Sequence, residues 1–140
     1  DPITLYIGSP GGHVESGDTI FDLIRYIKPE VRIIGTGWVG SIATHIYLAA
    51  DKDNRFALPN TRFLIHQPSG GFGGDAADIE IHAREILKTR ERINGIIAER
   101  TGQSIDRVGE DTQRDYWMSA EESVEYGLVG KIISDISEVG

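Results

Sequence analysis

The chain has 140 residues, a net charge of −8 and no cysteine. This length suits one globular domain with a hydrophobic core, and the acidity argues against a nucleic-acid partner. Without cysteine there can be no disulfide, thiolate metal site or cysteine nucleophile. No stretch approaches the roughly 20 apolar residues of a membrane span, so we expect no membrane partner.

The first half of the chain alternates predicted strands and helices. Residues 3–7 read as a strand, and the turn over residues 9–12 (SPGG) can expose backbone N–H groups. A helix with one apolar face follows and ends before Pro29. The β-branched residues 31–34 predict a buried strand, which glycines separate from a helix over residues 41–50. This alternation favours an α/β fold with mainly parallel strand pairing.

Short elements surround one long helix in the second half. Two short strands, over residues 55–58 and 62–66, precede a glycine-rich segment over residues 67–75. The proline-free stretch after it predicts a helix to about residue 100, roughly 39 Å long, which is about the width of a domain of this size. The chain then continues with a helix over residues 104–111, an extended segment over residues 115–118, a helix opened by a Ser119–Glu122 capping box, and a strand over residues 128–134.

Ile79, Ile86 and Ile93 recur at seven-residue intervals along the long helix. A narrow apolar seam of this kind is typical of contacts between helices. We therefore expect the helix to protrude and its isoleucines to form a contact between subunits. The alternative is a helix that lies across the body of its own chain.

Ser41 is the candidate nucleophile because it lies between a buried strand and a helix N-terminus. Unpaired backbone N–H groups and the positive end of the helix meet there, and both can stabilise an oxyanion. Serine is also a preferred N-cap residue, whose hydroxyl binds the first turn of the helix. The residues alone leave both roles open.

Four histidines compete to be the base. His66 ends an apolar strand before a glycine-rich segment, where α/β proteins place functional side chains; a structural, hydrogen-bonded role is the alternative. His13, directly after the glycine turn, is the next candidate. His45 lies one helical turn after Ser41, and its side chain is expected within or behind the helix wall rather than before the hydroxyl, whereas His82 is expected in solvent.

Asp115 is the best placed acid for a third catalytic residue. It begins an aromatic extended segment, where its carboxylate could be partly buried, and a surface carboxylate beside a helix is the alternative. The sequence contains no metal-binding motif and no phosphate-binding glycine motif. We therefore expect no metal and no cofactor.

Several separate stretches agree on one known family. They are LYIGSPGG, FDLIRYIKP, ALPNTRFLIHQP, DIEIHAREIL, ERTGQS and DTQRDYWMSAEESVEYGLV. They occur in this order between residues 5 and 129, so that the match extends over nearly the whole chain, and SPGG together with IHQP is highly specific. The sequence resembles the ClpP family, the proteolytic subunits of the ATP-dependent Clp protease, which are serine peptidases.

The resemblance implies an α/β fold of the ClpP/crotonase type, a spiral of repeated β-β-α units with a protruding handle helix over about residues 75–100. It implies a single peptidase domain over residues 1–140 that lacks the family's N-terminal axial-loop region. Ser41 would be the nucleophile, His66 the general base and acid, and Asp115 the carboxylate that orients the imidazole. The oxyanion donors fall on the N–H groups of Gly12 and Ile42. The strands that pair with an extended substrate fall on Gly12, His13 and Val14 and on Ser69, Gly70 and Gly71.

The resemblance also implies an assembly. Two seven-membered rings stack through the glycine-rich strand and the long helix, with Gln113 and Arg114 at the contact between rings. Their chamber receives unfolded polypeptides from a hexameric AAA+ Clp unfoldase, which uses ATP that this chain does not bind. The implied location is the cytoplasm of a bacterial type of cell, with an organellar matrix or stroma as the alternative.

The sequence departs from the family beside the serine. Where the family usually has GMAASMGA, residues 37–44 read GWVGSIAT, so Trp38 and Gly40 change the surroundings of the nucleophile. Gln113 replaces an acid that pairs with an arginine of another subunit. These departures leave open a weakly active or structural ring subunit that assembles with an active paralogue. Acyl-CoA chemistry on the same fold, as in the crotonase group, is a further alternative, although no CoA-binding feature is evident.

Overall fold

The computed structural model describes residues 1–66 and 76–140, except for the side chains of residues 76 and 77. Its strands are β1 (Ile3–Ser9), β2 (Val31–Gly40), β3 (Arg55–Ala57), β4 (Arg62–Ile65), β5 (Tyr116–Met118) and β6 (Lys131–Ile132). Its helices are α1 (Val14–Tyr26), α2 (Ile42–Tyr47), α3 (Ala76–Thr101), α4 (Ile105–Asp111) and α5 (Ala120–Tyr126), with 3₁₀ turns at Lys52–Asn54 and Ile136–Val139. The predicted α/β class and the mainly parallel pairing are confirmed.

The long strand β2 organises the sheet, whose order is β5-β4-β2-β3-β6 with β1 also paired to β2. Its first part pairs in parallel with β3 at residues 33–35, and its last part pairs in parallel with β4 at residues 38–40. Strand β5 runs antiparallel to β4. The carboxyl ends of β2 and β4 and the start of β5 therefore lie at the same edge of the sheet.

The glycines after residue 34 do not end the second strand as predicted, because β2 continues to Gly40. The pairing of β1 with β2 shifts between Ile7↔Gly35 and Ser9↔Val39, and Gly37 within this bulge has a φ of 58°. A bulge places extra residues in one strand and bends it, while pairing on both sides keeps the strand intact. The predictions for α2 and β6 were too long, since both elements end earlier.

The core lies between the sheet and α2, α3, α4 and α5, and every residue of α2 is buried. Helix α1 approaches α2 closely at Gly17, where a Cβ atom would overlap the Ile42 side chain. Since Ile42 follows Ser41 directly, this close packing holds the N-terminus of α2 (the helix mouth) in place.

Arg55 is a buried charge that sequence reasoning assigned no role. Its side chain is 1% exposed, and its guanidinium donates to four backbone carbonyls at 2.8 to 3.0 Å. Burial lowers the pKa of Arg55 to about 10, which is still far enough above neutral pH for the side chain to remain charged. The carbonyls belong to Ala50, Arg100, Gly127 and Leu128. Arg55 thus ties β3 to the ends of α3 and α5.

Helix α3 has two environments along its length. Its first half is mostly exposed, with Ile79 39% exposed and Ile86 half-buried. Ile93 is only 6% exposed and packs, with Ile97, in the core of its own chain. The prediction that Ile93 contacts another subunit is therefore wrong, because the last turns of α3 cover α2 and α4. Within the described residues, no helix is both long and apolar enough to cross a membrane.

Candidate active site

Ser41 has an unusual backbone. Its φ of 56° and ψ of −125° make it the single residue other than glycine with positive φ in the described part of the chain. Such a conformation costs about 1–3 kcal/mol and is maintained at functional sites by the surrounding structure. Its side chain makes no capping hydrogen bond to α2. The ordinary N-cap role is therefore wrong, and the hydroxyl is not used to close the helix.

Neighbouring groups fix this backbone. The Ser41 N–H donates to the carbonyl of Leu64 at 3.0 Å, and the Thr44 hydroxyl lies 3.0 Å from the same carbonyl. On the other side Gly11, with a φ of 114°, packs so closely that a Cβ there would lie 2.6 Å from Ser41 Cβ. Serine, strand β4 and the glycine turn are thus locked together.

The two departures from the family sequence beside Ser41 are coupled. A Cβ at Gly40 would lie 2.6 Å from the indole Nε1 of Trp38. The Trp38 ring also contacts Trp117 of β5, with ring centroids 5.5 Å apart, and Arg62 lies over the Trp117 ring. Glycine at position 40 therefore lets the bulky Trp38 side chain lie against the backbone before the serine.

His66 directly follows β4, and Ser41 directly follows β2. Because Gly40 pairs with Leu64 in a parallel ladder, the two residues leave the same edge of the sheet. Both line one pocket of about 150 Å³, together with Gly12, Val14, Ile42, His45, Ile65, Ile93 and Ile97. The structure thus brings the predicted nucleophile and the predicted base to one cavity.

Asp115 directly precedes β5. In the antiparallel ladder Ile65 pairs with Tyr116, so the next step of the same register places Asp115 opposite His66. Its side chain is exposed, and the expectation of partial burial is wrong, because the residue lies beyond the last ladder pair. Within the described residues no hydrogen bond of 3.5 Å or less links the Ser41 hydroxyl, the His66 ring and the Asp115 carboxylate. The three groups therefore lie at one edge of the sheet but are not joined by hydrogen bonds.

The two predicted oxyanion donors lie at the pocket. Ile42 is the first residue of α2, so its N–H has no acceptor within the helix. Gly12 lines the same pocket, and a Cβ there would meet no atom within 4 Å. Both groups are placed where a carbonyl oxygen beside Ser41 could reach them.

The predicted substrate strand over Gly12, His13 and Val14 needs correction. His13 is extended and caps α1, its Nδ1 accepting from the Ser16 N–H at 3.3 Å, while its Nε2 lies 2.8 Å from Glu15. Val14 begins α1, so its backbone is helical and the substrate-strand prediction is wrong for it. Its side chain lines the pocket instead. The second predicted strand, at Ser69, Gly70 and Gly71, lies outside the described residues.

His45, predicted within or behind the helix wall, is buried there and has a further position that was not predicted, at the pocket of Ser41. It is 2% exposed and stacks on Phe21 of α1 with ring centroids 4.5 Å apart. Its Nε2 lies 3.1 Å from a carboxylate oxygen of Asp18. Arg92 donates two hydrogen bonds to that carboxylate, at 2.9 and 2.8 Å. The i, i+4 spacing indicated that His45 lies on the same helix face as Ser41. The contacts with Asp18 on α1, and through it with Arg92 on α3, have no signal in the local sequence.

Burial and the neighbouring charges favour one protonation state for His45 and Asp18. Burial lowers the pKa of His45 below its ordinary value, although the charge of Asp18 opposes the shift. Burial alone would raise the pKa of Asp18, but Arg92 and His45 together lower it. At neutral pH the structure therefore holds a neutral imidazole beside an ionised carboxylate.

Two predicted residues, Gln113 and Arg114, were assigned to a contact between rings and not to the active site. Gln113 and Arg114 are exposed. Among residues 1–66 and 76–140 no group of three or more histidines and acids could hold a metal ion.

A strained serine, a histidine at the adjacent strand end and N–H groups at a helix mouth form a serine-hydrolase type of site on an α/β sheet. The family described as Clp protease matches residues 1–135. The chain belongs to this family.

Similar proteins come from several bacteria. The chain is 58% identical over 139 residues to the ATP-dependent Clp protease proteolytic subunit 3 of Rhizobium meliloti (strain 1021), covering 99% of this chain and 71% of that protein. It is also 58% identical to the proteolytic subunit 2 of Pseudomonas aeruginosa, covering 99% and 69%. Among solved structures, a mutant of ClpP1 from Listeria monocytogenes superposes with a TM-score of 0.93 at 54% identity, covering 99% of this chain and 77% of that one. The predicted ClpP-like fold is confirmed.

Proposed function

We propose that this chain is the proteolytic subunit of an ATP-dependent Clp protease and hydrolyses peptide bonds of unfolded polypeptides as a serine endopeptidase. The observation that carries the proposal is the strained backbone of Ser41, held at a helix mouth in the pocket it shares with His66. Support also comes from relatives named as proteolytic subunits of this protease.

The geometry supports acyl-enzyme chemistry in two halves. His66 takes the Ser41 proton while the hydroxyl oxygen attacks the scissile carbonyl carbon, and the developing oxyanion accepts from the N–H groups of Ile42 and Gly12. His66 then gives the proton to the leaving amine. Water, activated in turn by His66, hydrolyses the ester and restores the hydroxyl. Asp115, opposite His66 in register, orients the imidazole and stabilises its charged form.

Catalysis requires a rearrangement of these side chains, because no hydrogen bond joins them within the described residues. The backbone register already brings Ser41, His66 and Asp115 to one edge of the sheet. Rotation of their side chains is therefore the smallest change that can form the hydrogen bonds from serine to histidine to aspartate. The same observation keeps a second candidate open, a structural ring subunit that cleaves poorly by itself and assembles with an active paralogue.

The proposal extends to an assembly of two stacked heptameric rings that receives substrate from a hexameric AAA+ unfoldase. Apolar side chains that this chain leaves exposed on α1 and α3, such as Leu23 and Ile79, support burial against other subunits. Gln113 and Arg114 are exposed and available for a contact between rings. We place ATP on the unfoldase, no cofactor on this chain, and the assembly in the cytoplasm.

The test compares wild-type protein, Ser41→Ala and a mixture with a paralogue, each at a measured particle mass. We expect wild-type particles to hydrolyse a fluorogenic peptide, and Ser41→Ala to form particles of the same mass without hydrolysis. Hydrolysis that survives Ser41→Ala contradicts the peptidase assignment. Activity that arises only in mixed particles, and that does not depend on Ser41, identifies the structural subunit.

A further inference from the structure

One buried polar atom of the site has no partner. His45 Nδ1 is the sole fully buried side-chain nitrogen or oxygen without a hydrogen bond among the described residues. Buried polar atoms are nearly always paired in native proteins, so this exception beside an active site marks an acceptor that a donor entering the pocket can use once the side chains that now cover it shift.

The contacts of His45 define what that partner must be. Its Nε2 lies 3.1 Å from Asp18 Oδ1, and the carboxylate can only accept, so Nε2 carries the hydrogen. Arg92 holds Asp18 with two hydrogen bonds and keeps the carboxylate in this position. The neutral ring then has a lone pair on Nδ1 and no hydrogen there. Nδ1 can accept a hydrogen bond and cannot donate one.

His45 belongs to the wall of the pocket beside Ser41. Most other side chains of this wall are apolar, from Val14, Ile42, Ile65, Ile93 and Ile97. A volume of about 150 Å³ is that of a protein cavity able to hold benzene, so the pocket has room for one side chain of moderate size. Next to a nucleophilic serine, that side chain belongs to the substrate residue on the N-terminal side of the scissile bond.

We propose that His45 Nδ1 accepts a hydrogen bond from the substrate side chain in this pocket, so that the pocket admits a neutral donor such as asparagine besides apolar side chains. The inference rests on the proposed function and adds a specificity residue to it. Leucine, asparagine and aspartate have nearly the same shape but offer no donor, an amide donor and an anionic acceptor, respectively. Asparagine gains from the lone pair, whereas aspartate is repelled by it.

The experiment measures kcat/KM of the assembled protein for three fluorogenic peptides that differ only in this residue. The test variant is His45→Phe, which keeps an aromatic ring to stack on Phe21 and removes the acceptor. We expect the asparagine-to-leucine ratio of kcat/KM to fall roughly five- to tenfold, the factor for one net hydrogen bond between neutral groups. A ratio within one variant is insensitive to any change in turnover that both peptides share.

Two further variants make the result decisive. Tyr47→Phe removes a buried hydroxyl bonded to the Phe56 carbonyl at 2.8 Å, outside the pocket, and should leave the ratio unchanged. Asp18→Ala removes the group that fixes the tautomer and should lower the ratio in the same direction; it provides the test if His45→Phe does not fold. Cleavage of the leucine peptide with an unchanged ratio in the folded variants overturns this inference alone. Failure of wild-type particles to cleave any of the peptides overturns the proposed function and this inference with it.

Discussion

Replacing Ser41 by glycine should leave the protein more stable than replacing it by alanine, although both variants lose the proposed nucleophile. The φ of 56° and ψ of −125° at Ser41 match the first central position of a type II′ turn, which glycine adopts without strain. Alanine retains the Cβ atom and therefore retains the strain. Neither variant loses a helix cap, because the Ser41 side chain makes no capping hydrogen bond.

The size of the difference follows from two opposing contributions. A residue other than glycine in such a conformation costs about 1–3 kcal/mol. Glycine forfeits about 0.5–1 kcal/mol of that gain, because its unfolded chain has more conformational entropy. From the midpoints of the two ranges we therefore expect Ser41→Gly to exceed Ser41→Ala by about 1 kcal/mol in free energy of unfolding, with about 2.5 kcal/mol as the upper bound. For a chain of this length that is a Tm difference of roughly 2–8 °C.

The assay is thermal unfolding of both variants at the same protein concentration and particle mass, because assembly also shifts Tm. Gly12→Ala in a wild-type background serves as a reference for an alanine introduced where a Cβ meets open space. If Ser41→Ala is as stable as Ser41→Gly or more so, the backbone of Ser41 is not strained and the serine is not preorganised by it.

Three other changes test separate parts of the structure. Gly11→Ala should lower Tm and slow the chemical labelling of Ser41, because the new Cβ would lie 2.6 Å from Ser41 Cβ at a φ of 114°; normal labelling would show that the turn does not hold the serine. Arg55→Met should cost about 3–5 kcal/mol in urea unfolding, because it removes four hydrogen bonds to backbone carbonyls, three of them buried, whereas Arg107→Met at the surface should cost far less; equal costs would refute the role of Arg55. The free energy of unfolding should fall as pH drops below about 6.5, because the lowered folded-state pKa of His45 lets the unfolded chain bind the proton first; His45→Phe should flatten this dependence, and an unchanged slope would contradict it.

Local sequence patterns predicted most elements of the fold because the signals for them are local. Proline at position 29, the Ser119–Glu122 capping box and Gly127 with its φ of 97° mark helix ends through contacts within a few residues. The length of β2 was missed because its glycines are weak strand formers, and pairing with β1 and β4 on both sides of the bulge is what continues the strand to Gly40. The place of Ile93 was missed for the same reason, since periodicity does not tell which chain covers an apolar face.

In the candidate site too, features with a local sequence signal could be predicted, and features that depend on tertiary packing could not. The positions of Ser41 and His66 follow from strand ends, and the parallel ladder brings them to one pocket. The φ of Ser41 has no local signal, because a serine before a helix ordinarily predicts a cap. The partners of His45 lie on α1 and α3, far away in sequence, so the Asp18 and Arg92 contacts emerge only from tertiary packing.

The most direct measurement is covalent labelling of assembled wild-type particles with a fluorophosphonate, followed by peptide mass spectrometry. We expect one adduct per chain, on the peptide that carries Ser41, with slower labelling in His66→Ala. Particles that form normally but remain unlabelled, or that carry the adduct on another serine, would contradict it.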